Sequence, residues 1–256
     1  MTATQIHAYL RASGIASEHE RVGPFLATFT PGTDHPMRNY AIPDDDARPS
    51  SAEVDALVQA YERRGLKARL EYAADAAPRL EAVLVGAGFE VEGHLPIMTC
   101  RPNEARLLAP PPDFVVEEAE TDRDHAEAMA VAAEAYGEPA PPPSDEAVAA
   151  RWRMTAAGGA VVLARHRRSG RAAASGIFPA PRARVAELAA VGTRAEFSNR
   201  GVAAAVTSRL VQAAADRGLG LLWLDPASAR AERIYARAGF VLDGGPMVHI
   251  SRPRRR

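Results

Sequence analysis

Part of this chain is written twice, and that constrains it more than anything else in the sequence. Residues 57–66 read LVQAYERRGL and residues 210–219 read LVQAAADRGL, with seven of ten letters identical at an offset of 153. A second block, VGAGFEVEGHLPIMTCRP ending at Pro102, falls on YARAGFVLDGGPMVHISRP ending at Pro253. There Gly88-Phe89 meets Gly239-Phe240 and Arg101-Pro102 meets Arg252-Pro253, at an offset of 151. Two blocks in the same order at near-equal offsets need only a small indel between them, so the chain is expected to hold two copies of one fold. Each copy would have about 100–140 residues, an ordinary domain size. The stiff segment Ala109-Pro110-Pro111-Pro112-Asp113 enters neither helix nor sheet interior and marks the boundary. The expected division is a first half over 1–105, a proline-rich linker over 106–113 and a second half over 114–256. The later proline run, 139–143, reads as a loop inside the second copy.

Composition narrows the function classes. Lys plus Arg is 31 and Asp plus Glu is 32 in 256 residues, so a net charge of −1 recruits neither nucleic acid nor another polyanion. The single cysteine, Cys100, builds no internal disulfide and no thiolate metal site. The seven histidines show no close ligand spacing, and Asp44-Asp45-Asp46 lacks the glycine and terminal glutamate of a calcium loop, so no metal is expected and the acidic run reads as a solvated turn. No signal-peptide pattern or membrane-length apolar run is present, giving the expectation of a cytoplasmic protein with no membrane partner. The tail Arg252-Pro253-Arg254-Arg255-Arg256 reads as a frayed terminus, and Cys100 as a small residue in a closing strand. The sequence does not indicate an oligomeric state.

The second copy reads as an α/β layer. Strands are expected from Phe114, over Ala160–His166, Ala172–Phe178 and Val185–Thr193, from Leu219, and over Met247–Ile250. Helices are expected over Asp122–Ala135, from Asp145 through Met154, over Val202–Arg217 and over Ala229–Ala238. Thr121-Asp122 and Ser144-Asp145 supply N-caps, while Gly218 and Gly239 end their helices. Between Thr193 and the helix opening at Gly201 lies a polar loop. Such a strand–loop–helix corner presents unpaired backbone N–H groups at the positive end of a helix dipole, which suits a phosphate or diphosphate. Gly201 permits close backbone approach, and Arg200 adds a positive charge.

The stretch AELAAVGTRAEFSNRGVAAAV, residues 186–206, resembles the acetyl-coenzyme A signature of the GNAT acyltransferases, commonly V-G-T-x-P-x-x-R-G-x-G-x-G/A. Val191-Gly192-Thr193 match the end of its strand, and Arg200, Gly201 and Ala203 match the last part of its loop. The family's N-x-x-A-x-x-L-Y-x-x-x-G-F block is matched by Ser228, Ala231, Ile234, Tyr235 and Gly239-Phe240. The resemblance spans roughly 114–252. It departs at Ala195 for Pro, Ser198 for Gln or Arg, Asn199 for Gly and Ser228 for Asn, changes that a backbone-bound phosphate tolerates. It implies two GNAT-like α/β domains, each a mixed twisted sheet flanked by helices. It further implies acetyl-coenzyme A held by Val191, Gly192, Thr193, Ser198, Asn199, Arg200, Gly201, Val202, Ala203, Ala204 and Ser228. The implied acceptor is an amine of a small molecule or an amino terminus.

A protonated amine has no lone pair, so transfer needs a base, and the resemblance points to Glu187, directly or through water, with Glu134 and Glu138 as alternatives. A backbone N–H near Val191 would face the oxyanion, and Tyr235 would supply a proton to the departing thiolate. Tyr136 and Trp152 lie in the segments that by resemblance roof the acceptor pocket. Projected onto the first copy, Tyr235 falls on Leu84 and Gly201 on Arg48, amid Asp44, Asp45, Asp46 and Glu53. The first half therefore reads as a degenerate copy without a site. Two alternatives stay open: a coenzyme-binding sensor or scaffold without catalysis, and transfer of a longer acyl or an aminoacyl group.

Overall fold

The protein is described from a computed structural model covering residues 2–35 and 38–253. The arginines at 254–256 lie outside the described residues. The chain divides into two units, Met1–Ile97 with Leu242–Arg256, and Met98–Val241.

The first unit contains α1 (Thr2–Gly14), β1 (Glu18–Val22), β2 (Phe25–Phe29), β3 (Ala41–Pro43), α2 (Ser51–Glu62), β4 (Arg69–Ala73), α3 (Leu80–Gly86) and β5 (Glu90–Leu95). The second contains β6 (Met98–Cys100), β7 (Phe114–Glu118), α4 (Asp122–Tyr136), α5 (Asp145–Ala156), β8 (Ala160–His166), β9 (Ala172–Phe178), β10 (Val185–Glu187), β11 (Ala189–Thr193), α6 (Val202–Asp216), β12 (Leu221–Leu224) and α7 (Ala229–Arg237). β13 (Val241–Leu242) crosses the division, and β14 (Met247–Ser251) returns to the first unit. No helix among the described residues is long and apolar enough to cross a membrane.

The two repeat blocks fold alike. LVQAYERRGL closes α2 with Gly65 at φ +68°, and LVQAAADRGL closes α6 with Gly218 at φ +69°, the left-handed position that glycine occupies without a Cβ penalty. Each helix leads into a buried strand, β4 or β12, and then into a helix, α3 or α7, followed by Gly88 or Gly239, again with positive φ. The closing strands then part from their own copies. β14 lies between β4 and β5 in the six-stranded sheet β1-β2-β3-β4-β14-β5, with Val248 opposite Tyr72 and His94. β6 pairs antiparallel with β12, Thr99 opposite Trp223. The compact units therefore do not follow the 1–105 and 114–256 division. Each last strand completes the hydrogen-bond ladder of the sheet that contains the other copy's helical block.

Residues 106–113 are likewise built into the second unit rather than free. The Leu108 N–H donates to the Ser208 hydroxyl of α6 (2.7 Å), and Arg167 donates to the Pro112 carbonyl (2.9 Å). Cys100 is buried in β6, where burial and the nearby Glu104 charge push its thiol up to about 12. The acidic run is not merely a solvated turn. Asp44 pairs with Arg21, and Asp45 accepts from Arg11 and from the His7 ring, both at 3.0 Å.

His7 is fully buried, and its Nε2 accepts the Ala73 N–H at 2.9 Å, so Nδ1 carries the proton given to Asp45. Burial holds this imidazole down to about 4, against the opposing pull of Asp45. A depressed folded-state pKa means the unfolded chain binds the proton first. The stabilisation is complete above the unfolded value near 6.5 and is lost as pH falls toward 4, by at most about 3 kcal/mol. Urea titrations at pH 7 and pH 4.5 are expected to show this loss, and His7→Gln is expected to flatten the slope over that window while lowering stability at pH 7.

Candidate active site

The site is made where one strand changes partners. Val185–Glu187 pair in parallel with Leu221–Trp223, and the Leu188 N–H donates to the Trp223 carbonyl at 2.8 Å. From Ala189 onward the chain pairs instead with β9, with a register shift between Ala189 and Gly192 and with Ala190 at φ +52°. A left-handed alanine inside a bulge is strained by about 1–2 kcal/mol and turns the following peptide out of the regular ladder. The segment 185–193 thus joins the sheet β10-β12-β6-β13 to the sheet β11-β9-β8-β7 while opening a gap beside β12.

Small residues let helices close on that gap. A Cβ on Gly192 would stand 2.7 Å from the Ala135 Cβ of α4, and one on Gly176 would stand 2.9 Å from Leu210 of α6. α4 ends at Gly137, which is left-handed, and its last residue, Tyr136, directs its hydroxyl to the Val191 carbonyl at 3.4 Å. The α6 N-terminus is unlike those of α4, α5 and α7. Those three have a Thr or Ser side chain accepting a first-turn N–H, whereas α6 begins at Gly201 (φ +76°) with no side-chain cap. Its first-turn N–H groups are left to whatever occupies the space before them.

That space is a cleft of about 560 Å³, walled by Val191 and Thr193 of β11, by Ser198, Asn199 and Gly201–Ala204, and by the α7 face carrying Arg230, Ile234 and Tyr235. The Thr193 hydroxyl is buried there without a hydrogen-bond partner among the described residues. Uncapped N–H groups, a glycine corner and an unpaired hydroxyl in one cleft fit a phosphate-bearing ligand. A second hollow of about 590 Å³ lies beside β7. Arg209 pairs there with Glu118 and Arg165 with Asp124, although the buried Arg209 Nη1 has no partner among the described residues, and no uncapped helix start opens into it.

Most residues expected at the site meet in this cleft: Val191, Thr193, Ser198, Asn199, Gly201, Val202, Ala203, Ala204, Ser228 and Tyr235 all line it. Ser228 also caps α7, accepting the Ala231 N–H at 3.2 Å. Gly192 acts through its lack of a side chain, as above. Arg200 does not face the cleft. Its guanidinium binds Asp113 at 2.7 Å and stacks 4.8 Å over Phe114, so the positive charge expected from it is spent on the 106–113 segment. The cleft's cations are instead Arg230 and Arg237, which the sequence reading passed over. Arg230 donates to the Asn199 side chain at 2.7 Å and ties α7 to the loop. The i, i+4, i+5 spacing of Arg230, Ile234 and Tyr235 was the available signal.

Trp152 is also placed elsewhere. It lines a separate hollow with Thr155 and Val161, donates to Asp122 at 2.7 Å and meets His125 edge-on at 4.4 Å, which makes it a packing residue of α4 and α5. Glu134, one alternative base, is held by Arg194 through two contacts of 2.7 and 2.8 Å that keep its carboxyl below the usual range. Glu187 is half-buried where the strands part, opposite Trp223, and is not a wall of the cleft. Tyr136 exposes most of its ring, 58% of the residue, while its hydroxyl end turns inward. Both site phenols are raised: Tyr136 by burial of that end and by the charges of Glu138 and Asp225, and Tyr235 by burial, Tyr136 and Asp225.

The comparisons place this arrangement. Residues 117–240 match the family described as Acetyltransferase (GNAT) family. These residues form a GNAT domain. Over nearly the whole chain, the fold is that of a GCN5-related N-acetyltransferase from Kribbella flavida, at TM-score 0.81 and 24% identity, covering 99% of this chain and 96% of that one. A GCN5-related N-acetyltransferase from Sphaerobacter thermophilus aligns at TM-score 0.66 and 16% identity, over 91% of this chain and 78% of its own. A tandem GNAT protein from the clavulanic acid biosynthesis pathway aligns at TM-score 0.60 and 12% identity, over 91% and 79%. Among curated proteins, none is similar enough in sequence to match.

In the GNAT domain, two glycines are expected to be irreplaceable for different reasons. Gly192→Val should cost about 1–3 kcal/mol by overpacking against Ala135. Gly201→Ala, with Pro111 no nearer than 3.6 Å, should cost about 1 kcal/mol from its φ alone. Urea denaturation of both variants measures the difference.

Proposed function

We propose that the GNAT domain is an N-acetyltransferase that moves the acetyl group of acetyl-coenzyme A to an amine of a small molecule or an amino terminus. The observation that carries this reading is the uncapped start of α6, opening with Arg230 and the Thr193 hydroxyl into the cleft where β10–β11 part from β12. The diphosphate is assigned to the N–H groups of Gly201–Ala204, with Ser198, Asn199 and Arg230 at its flank. The thioester then runs along β11 toward Val191, whose peptide the Ala190 bulge turns out to meet the developing oxyanion. In the transfer the ammonium first gives one proton through water to Glu187, which does not wall the cleft itself and passes it on to solvent. The freed nitrogen then bonds to the acyl carbon, the carbon–sulfur bond breaks, and a second proton leaves the nitrogen while the thiolate takes one up.

Tyr235 stands at the sulfur end. A phenol raised above its ordinary value of about 10 stays protonated at neutral pH, and its gap from a thiol near 8.5 favours hydrogen bonding to the departing sulfur over outright proton transfer.

The first unit supports a non-catalytic reading of its own. Its repeat-equivalent helix, α2, starts with a full capping box in which the Glu53 carboxylate binds the Ser50 N–H at 2.7 Å and the Ser50 hydroxyl accepts the Glu53 N–H. The corner that holds an anion's partners in α6 is met in α2 by the chain's own carboxylate. We therefore keep the first half as a degenerate copy.

Isothermal titration with acetyl-coenzyme A is expected to show saturable binding, and absence of binding at millimolar ligand would remove this reading. Arg230→Ala should weaken the donor's affinity by about tenfold, whereas Arg200→Ala should leave it within about threefold. With an amine acceptor, Tyr235→Phe and Glu187→Gln should each lower kcat by about 10- to 1,000-fold without moving donor affinity.

A further inference from the structure

α7 lays unneutralised positive charge along one wall of the cleft. Arg230 and Arg237 both line it, two helical turns and about 10 Å apart along the axis. Elsewhere in the GNAT domain arginines are matched by carboxylates: Arg165 by Asp124, Arg194 by Glu134, Arg200 by Asp113, and Arg209 and Arg217 by Glu118. The two cleft arginines are not. Arg230 bonds the neutral side chain of Asn199 at 2.7 Å, and the Arg237 guanidinium has no hydrogen bond or ion pair among the described residues. No Asp or Glu is among the described residues that line the cleft. A diphosphate has the first-turn N–H groups of α6 and the tethered Arg230 to itself, which leaves Arg237 facing the same space unspent.

We propose that Arg237 is a specificity-determining residue that reads the 3′-phosphate of coenzyme A, so that the protein selects 3′-phosphorylated donors. The inference rests on the acetyl-transfer reading above and deepens it. Coenzyme A has anionic groups at two places, a diphosphate and, across one ribose, a phosphate monoester. With a second pKa near 6, the monoester is largely dianionic at pH 7 and is the more demanding of the two. At about 100° per residue, Arg237 falls within about 20° of Arg230 around the helix, which puts it with the arginine of the diphosphate rather than with Tyr235 at the sulfur end. The walls between the two arginines, Ala231 and Ile234 of α7 with Ala203 and Ala204 of α6, are uncharged and neither compete for a phosphate nor repel one. Arg237 is exposed and untethered, so its guanidinium pays little desolvation and offers a planar fork of donors to the terminal oxygens of a monoester.

Calorimetric titration of the full chain with acetyl-coenzyme A and with acetyl-3′-dephospho-coenzyme A tests this. The wild type is expected to bind the 3′-phosphorylated donor about tenfold more tightly, with the ratio shrinking as salt rises. Arg237→Gln should weaken acetyl-coenzyme A alone and bring the ratio toward one. Arg230→Ala should weaken both donors alike and keep the ratio. Arg233→Gln, which removes an exposed charge of α7 that does not line the cleft, should change neither affinity. Equal wild-type affinities overturn the inference. So does a ratio that survives in Arg237→Gln, or one that Arg233→Gln lowers as far. Each of these leaves the acetyl-transfer reading standing, whereas failure to bind either donor removes both.

Discussion

Everything at the site depends on one interrupted hydrogen-bond ladder. The Leu188 N–H makes the last bond from this strand to Trp223, and Ala190 then takes a left-handed conformation that regular pairing forbids. A sheet that continued there would bury Val191 between neighbours and leave no room for a ligand. The strain is tolerated because the surrounding structure over-determines it: Gly192 is pressed against Ala135, and the Tyr136 hydroxyl holds the Val191 carbonyl. The gap, the exposed peptide and the placing of Tyr136 are thus consequences of the same local break.

The helix that faces the gap is made for burial rather than for self-sufficiency. α6 is packed with Ala, Val and Leu and has ten buried residues, so tertiary contact stabilises it without an N-cap. α2 shows the alternative within the same chain. It has a capping box, and Glu53 already supplies the negative charge that a helix start favours. The helices of the two repeat blocks therefore differ in what they leave unsatisfied at their N-termini.

The sequence made some of this legible and not the rest. Element positions in the second copy were readable because caps and glycines punctuate them: Thr121 and Ser144 start helices, and Gly218 and Gly239 follow the ends of theirs with positive φ. The loop from Ser198 to Ala204 stood out through its resemblance to the GNAT signature and not through Gly201 alone, since a glycine at a helix start is common without any ligand. Arg200 was misplaced because a motif gives a residue's position but not its direction, and Asp113 with Phe114 draws its guanidinium away. Arg230 was missed for the converse reason, since an arginine on a helix end looks like ordinary surface until the loop it bonds to is seen. The division into units was misjudged at the closing strands. Met98–Cys100 and Met247–Ser251 are recognisable as buried strands, but burial does not say which sheet they enter.

One short helix sets two walls of the cleft: α7 presents Arg230 to the Ser198–Ala204 loop and Tyr235 to the parted strands. The space it closes over exists because the ladder breaks at Ala190, so the positive charge of Arg230 and the uncapped start of α6 face one opening rather than a continuous sheet. A variant that restored regular pairing at Ala190 would fill that opening with the strand itself and leave both groups without a cavity to face.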